Sequence, residues 1–322
     1  KPLLSPGSLG GLRGRAVLVL ALLLAGFIKA DRLTSLAEEN LFSHPVVYAR
    51  STPYQRIVVT QTPANFQLYL NGNLQFNSAD EYRYHEALVH PVFAVAAQAA
   101  HVLVLGGGDG LAVREILKYP SVARVTLIDI DPEMTSLAEK FPPLESLNAS
   151  ALADPRVTVI NEDAMLWLES SRDLFDAAII DFPDPNTYAL GKLYTTRFFR
   201  LLKSRLTESA VCSIQCTSPV VARSAYWCII RTMESAGFET RPYCISVPSF
   251  GLWGYALASP SPLNLPTQLP AAVAGKLKCL NDAMLPGLFE LSSDIGPVEV
   301  EINRLDNQAL VRYYEAEWER WN

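Results

Sequence analysis

The chain has 322 residues, 49% of them hydrophobic and 19% charged, with a formal net charge of −6. That length and balance suit one large domain or a main domain with appendages, and they exclude general disorder. The excess of acids argues against a nucleic-acid binder, which would carry a basic footprint.

Near the N-terminus, Ala16 to Ile28 reads AVLVLALLLAGFI, thirteen apolar or small residues flanked by Arg13, Arg15, Lys29 and Arg32. The run is shorter than the roughly 20 residues that span a bilayer as a helix, and no small-x-small cleavage site precedes Lys29. A last transmembrane helix cut short, a membrane-surface helix and an ordinary buried helix all stay open. The uniformly apolar run and the basic residues behind it favour a transmembrane remnant with the rest of the chain on the cytoplasmic side. The chain begins with Lys rather than Met, which reads as a fragment or a processed form.

The stretch LTSLAEENLF (33–42) is polar and helix-compatible. Period-two alternation in YQRIVVTQT (54–62) and FQLYLNGNLQF (66–76) then predicts strands, with Asn71-Gly72-Asn73 as a hairpin signal. A helix from Asp80 to about Ala99 follows. From His101, short apolar runs alternate with helical stretches: HVLVLG and LAVREILKY, RVTLIDI and PEMTSLAEK, RVTVI and DAMLWLESS, DAAIID and a helix from about Thr195. AVCSIQC, the helix ARSAYWCIIRTMESAG and two closing strands near RPYCISV and WGYALAS complete the series. This rhythm predicts a doubly wound, largely parallel α/β sheet with a small N-terminal β-hairpin unit. Pro260 to Pro270 reads as a linker to a C-terminal helical tail. The expected divisions are an apolar helix and linker (1–42), a β-hairpin unit with its helix (43–99), an α/β catalytic domain (100–262) and a C-terminal helical extension (263–322).

The five cysteines are odd in number and show no C-x-x-C pair, so they suggest a reducing compartment and no structural metal. The four histidines are too scattered to suggest a ligand set.

GGGDG (106–110) directly follows the strand HVLVL and opens a helix, where an α/β sheet binds its ligands. Glycines such as Gly106, Gly108 and Gly110 let the backbone approach a ligand and leave helix-terminal N–H groups available. The dinucleotide fingerprint G-x-G-x-x-G fails at Leu111, which disfavours a dinucleotide. The next strand ends in Asp129, a carboxylate able to accept from both hydroxyls of a ribose. The third is followed by Glu162 and Asp163, where an acid can meet the amino group of adenine. Together these describe an adenosyl pocket with no place for a pyrophosphate. The fourth strand ends in IIDFPDPN, with Asp181 and Asp184 between prolines. An isolated acid there is ordinarily a turn residue or helix cap. Asp109 and Asp181, however, fall at the ends of adjacent strands and flank one cleft, with no obvious cation to neutralise them. Such a pocket suits a positively charged ligand.

These residues resemble the polyamine aminopropyltransferases, the spermidine synthase family. The resemblance runs from about Tyr48 to Ser259 through Tyr54-Gln55, the hairpin and Gln75, DEYRYHEALVHP (80–91), GGGDG, LIDID (127–131), EDA (162–164), DFPDP (181–185), GKLYTTRFF (191–199) and VPSFGLWGYALAS (247–259). It implies a Rossmann-like, methyltransferase-type sheet and transfer of an aminopropyl group from decarboxylated S-adenosylmethionine to a polyamine acceptor such as putrescine, releasing methylthioadenosine. The donor is a co-substrate, with no tightly bound cofactor and no metal. The resemblance implies that Gln55, Asp129 and Asp163 hold the nucleoside, with Gln75 beside the donor and Asp109 on its amine. Tyr84 and Asp181 would orient the attacking amine and take its proton, and Asp184 would help to bind the acceptor.

Phe182 and Pro183 stand where the family commonly has small residues, Phe250 stands where it has a second tyrosine, and QCTSP (215–219) lacks an acid that some members carry. Phe182, Tyr226, Trp227 and Trp253 offer ring faces to an ammonium, although plain packing explains each of them too. The apolar N-terminus resembles the final helix of a multi-pass region found ahead of this domain in some bacterial members, implying a bacterial inner-membrane enzyme with a cytoplasmic catalytic domain. A homodimer and no nucleic-acid partner are also expected. The alternatives are an S-adenosylmethionine-dependent methyltransferase on the same fold and a non-catalytic polyamine- or nucleoside-binding module.

Overall fold

The computed structural model describes residues 6–28 and 41–320, so most of the helix-compatible stretch 33–42 lies outside the described residues. The chain divides into two compact units, Lys1–Leu74 and Gln75–Asn322.

The first unit holds a helix, Pro6–Ile28, and the strands β1 (Val46–Ser51), β2 (Arg56–Gln61) and β3 (Phe66–Leu70). With β4 (Asn73–Asn77) the strands form a sheet in the order β1-β2-β3-β4. Asn71 and Gly72 both have positive φ, 52° and 81°, the conformation that a two-residue hairpin turn needs to match strand twist. Among the described residues no helix is long and apolar enough to cross a membrane. The expected transmembrane remnant, and the inner-membrane location built on it, are therefore not borne out. The wholly apolar run, at ~1.5 Å per residue, gives about 20 Å of helix against a hydrocarbon core of ~30 Å.

The second unit is built on a seven-stranded sheet ordered β10-β11-β9-β8-β5-β6-β7. Its strands are β5 (His101–Gly106), β6 (Arg124–Asp129), β7 (Val157–Asn161), β8 (Phe175–Asp181), β9 (Leu206–Gln215), β10 (Glu239–Val247) and β11 (Gly251–Ser259). The five from β5 to β9 run parallel, and β11 and β10 are added antiparallel beyond β9. Val102 to Leu105 and Ala177 to Ile180 are buried throughout. That is why these strands read as continuous apolar runs: helices cover both faces of a parallel sheet.

The chain winds from β5 out to β7, then returns to place β8 on the other side of β5. The order therefore reverses between β5 and β8, the place where such sheets open a crevice. There the strand ends meet in register, with Gly106 opposite Asp181; farther along the same edge Asp129 lies opposite Asn161.

The stretch after β11 is held down. Leu263 and Leu269 are buried, and the Leu263 carbonyl accepts from Arg241. Beyond it lie two short 3-10 turns and one helix, Ala309–Trp318. Trp227 Nε1 donates to the Ile295 carbonyl (2.9 Å), and Asn303 Nδ2 to the carbonyls of Gly191 and Tyr194 (3.1 Å each). The buried Glu86 carboxylate, from the helix Glu81–Val95, accepts the backbone N–H groups of Lys278 (2.8 Å), Cys279 and Leu280 (2.9 Å each). Glu86→Ala leaves these donors without their acceptor, and we expect a loss of about 3 kcal/mol in unfolding free energy. Urea unfolding of the two proteins checks it.

Candidate functional site

The site is built on the loop after β5. Gly106, Gly107 and Gly110 have φ of 77°, 67° and 80°, values that L side chains resist. Space is as limiting as conformation. A Cβ on Gly106 would stand 2.3 Å from the Asp181 carbonyl oxygen, and one on Gly108 2.6 Å from Asp129 Oδ2. Gly108 N–H instead donates to that oxygen at 3.0 Å, while Asp129 Oδ1 accepts from Asp131 N–H at 2.9 Å. Burial pushes Asp129 up to about 6, against the pull of these two bonds.

Asp109 Oδ1 accepts from Leu111 N–H (2.8 Å) at the start of the helix Leu111–Ile116. Asp181, at the end of β8, accepts from the Tyr84 hydroxyl at 2.6 Å. Burial raises the Asp181 carboxyl to about 6, and the charge of Asp109 adds to it. Burial and the same Asp181 carboxylate drive Tyr84 well above the usual phenol range, so the phenol stays a donor.

The expectation of a cleft with no neutralising cation is corrected by His85. It is fully buried on the same helix as Tyr84, with Nδ1 donating to Glu81 Oε2 at 2.8 Å. Burial opposes its charge, but Glu81, Asp109 and Asp181 outweigh that and raise it to about 9. Glu81 is anchored in turn by Arg114, whose two terminal nitrogens bind its two oxygens at 2.9 Å each. The sequence signal was slight: Glu81 and His85 stand four apart on one helix face.

Toward β7, Asp163 caps the helix Ala164–Ser170 through Met165 N–H (2.9 Å) and Leu166 N–H (3.3 Å), and its other oxygen meets Lys192 Nζ at 2.6 Å. Burial opposes the carboxylate, yet Lys192 and the capping bonds hold Asp163 below the usual range. Glu162 is exposed beside it, its N–H bonded to the Asp129 carbonyl. Gln75 lies on β4, partly buried, whereas Gln55 belongs to the first unit, in a tight turn ahead of β2 closed by Thr52.

Asp184 gathers three neutral donors. Oδ2 accepts from the Tyr314 hydroxyl (2.9 Å) and Thr217 Oγ1 (3.2 Å), and Oδ1 accepts a long bond from Gln215 Nε2 (3.4 Å). Burial lifts its carboxyl to about 6. Thr217 holds φ of 63°, a genuine outlier for a β-branched residue that costs on the order of 1–3 kcal/mol. Sequence reasoning noted only the acid that QCTSP lacks and missed these donors.

Phe250 stands edge-on to Tyr84, ring centroids 6.2 Å apart, and 5.1 Å from Trp253. The turn carrying it is fixed by Asp80, which accepts from Ser249 N–H at 2.7 Å. Phe182, Tyr226 and Trp227 are core residues: Phe182 packs on Phe198 (5.6 Å), and the Tyr226 hydroxyl is bound to the carbonyls of Tyr243 and Tyr255.

Residues 81–267 match the family model described as the spermine/spermidine synthase domain. The chain belongs to this family. It is 51% identical over 309 residues to a polyamine aminopropyltransferase of Leptospira interrogans, covering 96% of this chain and 61% of that protein. It is 48% identical to polyamine aminopropyltransferase 2 of Ralstonia nicotianae, covering 96% and 60%. The chain thus spans about three fifths of the length of these curated relatives. A crystal structure of spermidine synthase in complex with the transition-state analogue AdoDATO is similar with a TM-score of 0.71 and 26% identity, over 77% of this chain and 85% of that one. Spermidine synthase from Thermotoga maritima is similar with a TM-score of 0.69 and 26% identity, over 77% and 84%. Membership agrees with the resemblance read from the motifs, and these structures share the expected Rossmann-like sheet.

The buried cation gives a direct prediction. His85 is raised above its ordinary 6.5, so its stabilising contribution is complete below about pH 6.5 and is lost as pH rises through about 9. An NMR titration of the His85 ring should show a midpoint near 9, falling by more than a unit in Glu81→Gln. A midpoint near 6.5 in the wild type contradicts the charge assignment.

Proposed function

We propose that the protein transfers an aminopropyl group from decarboxylated S-adenosylmethionine to a polyamine such as putrescine, releasing methylthioadenosine. The observation that carries this reading is the Asp181 carboxylate, gripped by Tyr84 at 2.6 Å at the mouth of the glycine loop with Asp109 beside it. Relatives over 96% of the chain named polyamine aminopropyltransferase support it.

In this reading Asp129, with Asp163 and Glu162, holds the nucleoside, and Gly106, Gly108 and Gly110 let the backbone lie against it. Asp109 pairs with the donor's ammonium and Gln75 lies beside the donor. Tyr84 and Asp181 hold the attacking amine, Asp184 anchors its distal ammonium, and Phe250 and Trp253 wall the acceptor side. The amine nitrogen forms a bond to the aminopropyl carbon as the carbon–sulfur bond breaks, its electrons staying on sulfur. Asp181 takes the proton that the nitrogen loses. A polyamine nitrogen titrates near ~10, so an ordinary carboxylate would face a gap of roughly 8 kcal/mol. With Asp181 raised to about 6 the gap falls to roughly 5 kcal/mol. Sulfonium charge and desolvation act on the amine in the same direction. No covalent intermediate is needed, because alignment of amine and carbon supplies most of the acceleration.

A methyltransferase would have to receive the donor's carboxylate against Asp109 and Asp181. Calorimetry is therefore expected to give tighter binding of decarboxylated S-adenosylmethionine than of S-adenosylmethionine; equal or reversed affinities favour methyl transfer. A pure binding module yields no methylthioadenosine by mass spectrometry when both substrates are supplied.

Asp181→Asn should lower turnover by 10²–10⁴-fold, the usual loss on removing a general base, while donor affinity stays within a few-fold. Near wild-type turnover would make Asp181 a structural cap.

A further inference from the structure

We propose that Tyr314, from the C-terminal helix, is a positioning residue of the acceptor site that holds the Asp184 carboxylate oriented toward an incoming ammonium. This rests on the aminopropyl-transfer reading and adds to it a residue outside the matched domain, which ends at residue 267.

Three observations carry it. The first is how the donors are distributed. Oδ2 of Asp184 takes both shorter bonds, from Tyr314 (2.9 Å) and Thr217 (3.2 Å), while Oδ1 takes only the 3.4 Å bond from Gln215. The two hydroxyls fix the carboxylate by one oxygen and leave most of the accepting capacity of the other. The second is charge. Among the described residues no Lys, Arg or His pairs with Asp184, although the group is partly buried. The titratable groups facing it are Tyr194, Cys216 and Tyr314, all raised above their ordinary values by burial and by Asp184 itself, hence neutral. Held by neutral donors alone, the Asp184 carboxylate offers an arriving ammonium a partner for which no described protein cation competes.

The third is that the helix is built to deliver this hydroxyl. Val311 fits over Gly191, where an added Cβ would approach its Cγ2 to 2.5 Å. Glu317, one turn beyond Tyr314, caps the helix Arg223–Ser235 by accepting from Ser224 N–H at 2.9 Å and Ala225 N–H at 3.2 Å. Asn303 Oδ1 accepts from Leu310 N–H at 3.3 Å while its amide holds the segment before the helix Thr196–Lys203. Tyr314 itself is buried.

The test compares wild type, Tyr314→Phe and Val311→Ala. Tyr314→Phe removes only the hydroxyl; Val311→Ala loosens the same helix without touching Asp184. With saturating donor and putrescine as acceptor, Tyr314→Phe should raise the acceptor KM about tenfold, as expected for a lost hydrogen bond to a charged group. Its kcat and donor Kd should stay within threefold, and the acid limb of kcat/KM for putrescine should move to higher pH. Val311→Ala should lower Tm yet keep the acceptor KM within twofold. An unchanged acceptor KM and acid limb in Tyr314→Phe, or an equal rise in Val311→Ala, overturns the proposal. If the wild type transfers nothing to any amine, the aminopropyl-transfer reading fails separately. Calorimetric titration with spermidine then decides this one: about tenfold weaker binding by Tyr314→Phe supports it, and equal binding sinks it.

Discussion

The parallel pairing of β5 with β8 sets Gly106 opposite Asp181, and the site depends on that closeness. With 2.3 Å between the Asp181 carbonyl and any Cβ at position 106, only glycine lets the two strand ends lie side by side. The reversal of strand order there opens the crevice, and the positive φ values of the loop turn its backbone toward it. Asp129 adds a second constraint of the same kind, excluding a side chain at Gly108 and taking its N–H instead. The loop is therefore shaped by the acids around it as much as by glycine's freedom.

Gathering Asp109, Asp129 and Asp181 at one sheet edge works against their ionisation: burial raises all three, and the charge of Asp109 adds to the rise at Asp129 and Asp181. The fold compensates from one side. His85, on the helix Glu81–Val95, is held charged by Glu81, Asp109 and Asp181, while Arg114 anchors Glu81. A raised carboxyl is a better proton acceptor than an ordinary one, so the same crowding serves the proposed chemistry.

Around Asp184 the fold uses neutral donors. Thr217 reaches Asp184 from an unfavourable backbone conformation, and Gln215 and Tyr314 reach it from β9 and the C-terminal helix. Strain of this sort persists only where the surroundings over-determine it, and Thr217 is gripped on both sides. Its N–H donates to Gln215 Oε1 and its carbonyl accepts from Gly254 N–H, each at 2.9 Å.

By itself the sequence determined what is encoded locally. Strand and helix lengths, the hairpin at Asn71-Gly72, the glycine loop and the acids closing β6 and β8 are all written within a few residues of where they act. Their periodicity and turn chemistry predicted the sheet and brought Asp109, Asp129 and Asp181 to one edge. Only the tertiary structure decided how those acids are used. Tyr84 and Asp181 are 97 residues apart, and Asp184 and Tyr314 are 130 apart. The charge on His85 depends on Glu81 nearby but also on two carboxylates from distant strands. Asp163, legible as an acid after a strand, proved to share its carboxylate between a helix cap and Lys192. The apolar N-terminal run shows the converse: composition set its helix, but composition alone did not set its environment. Hydrogen-bond partners and local dielectric are properties of three-dimensional neighbours, and no spacing rule along the chain specifies them.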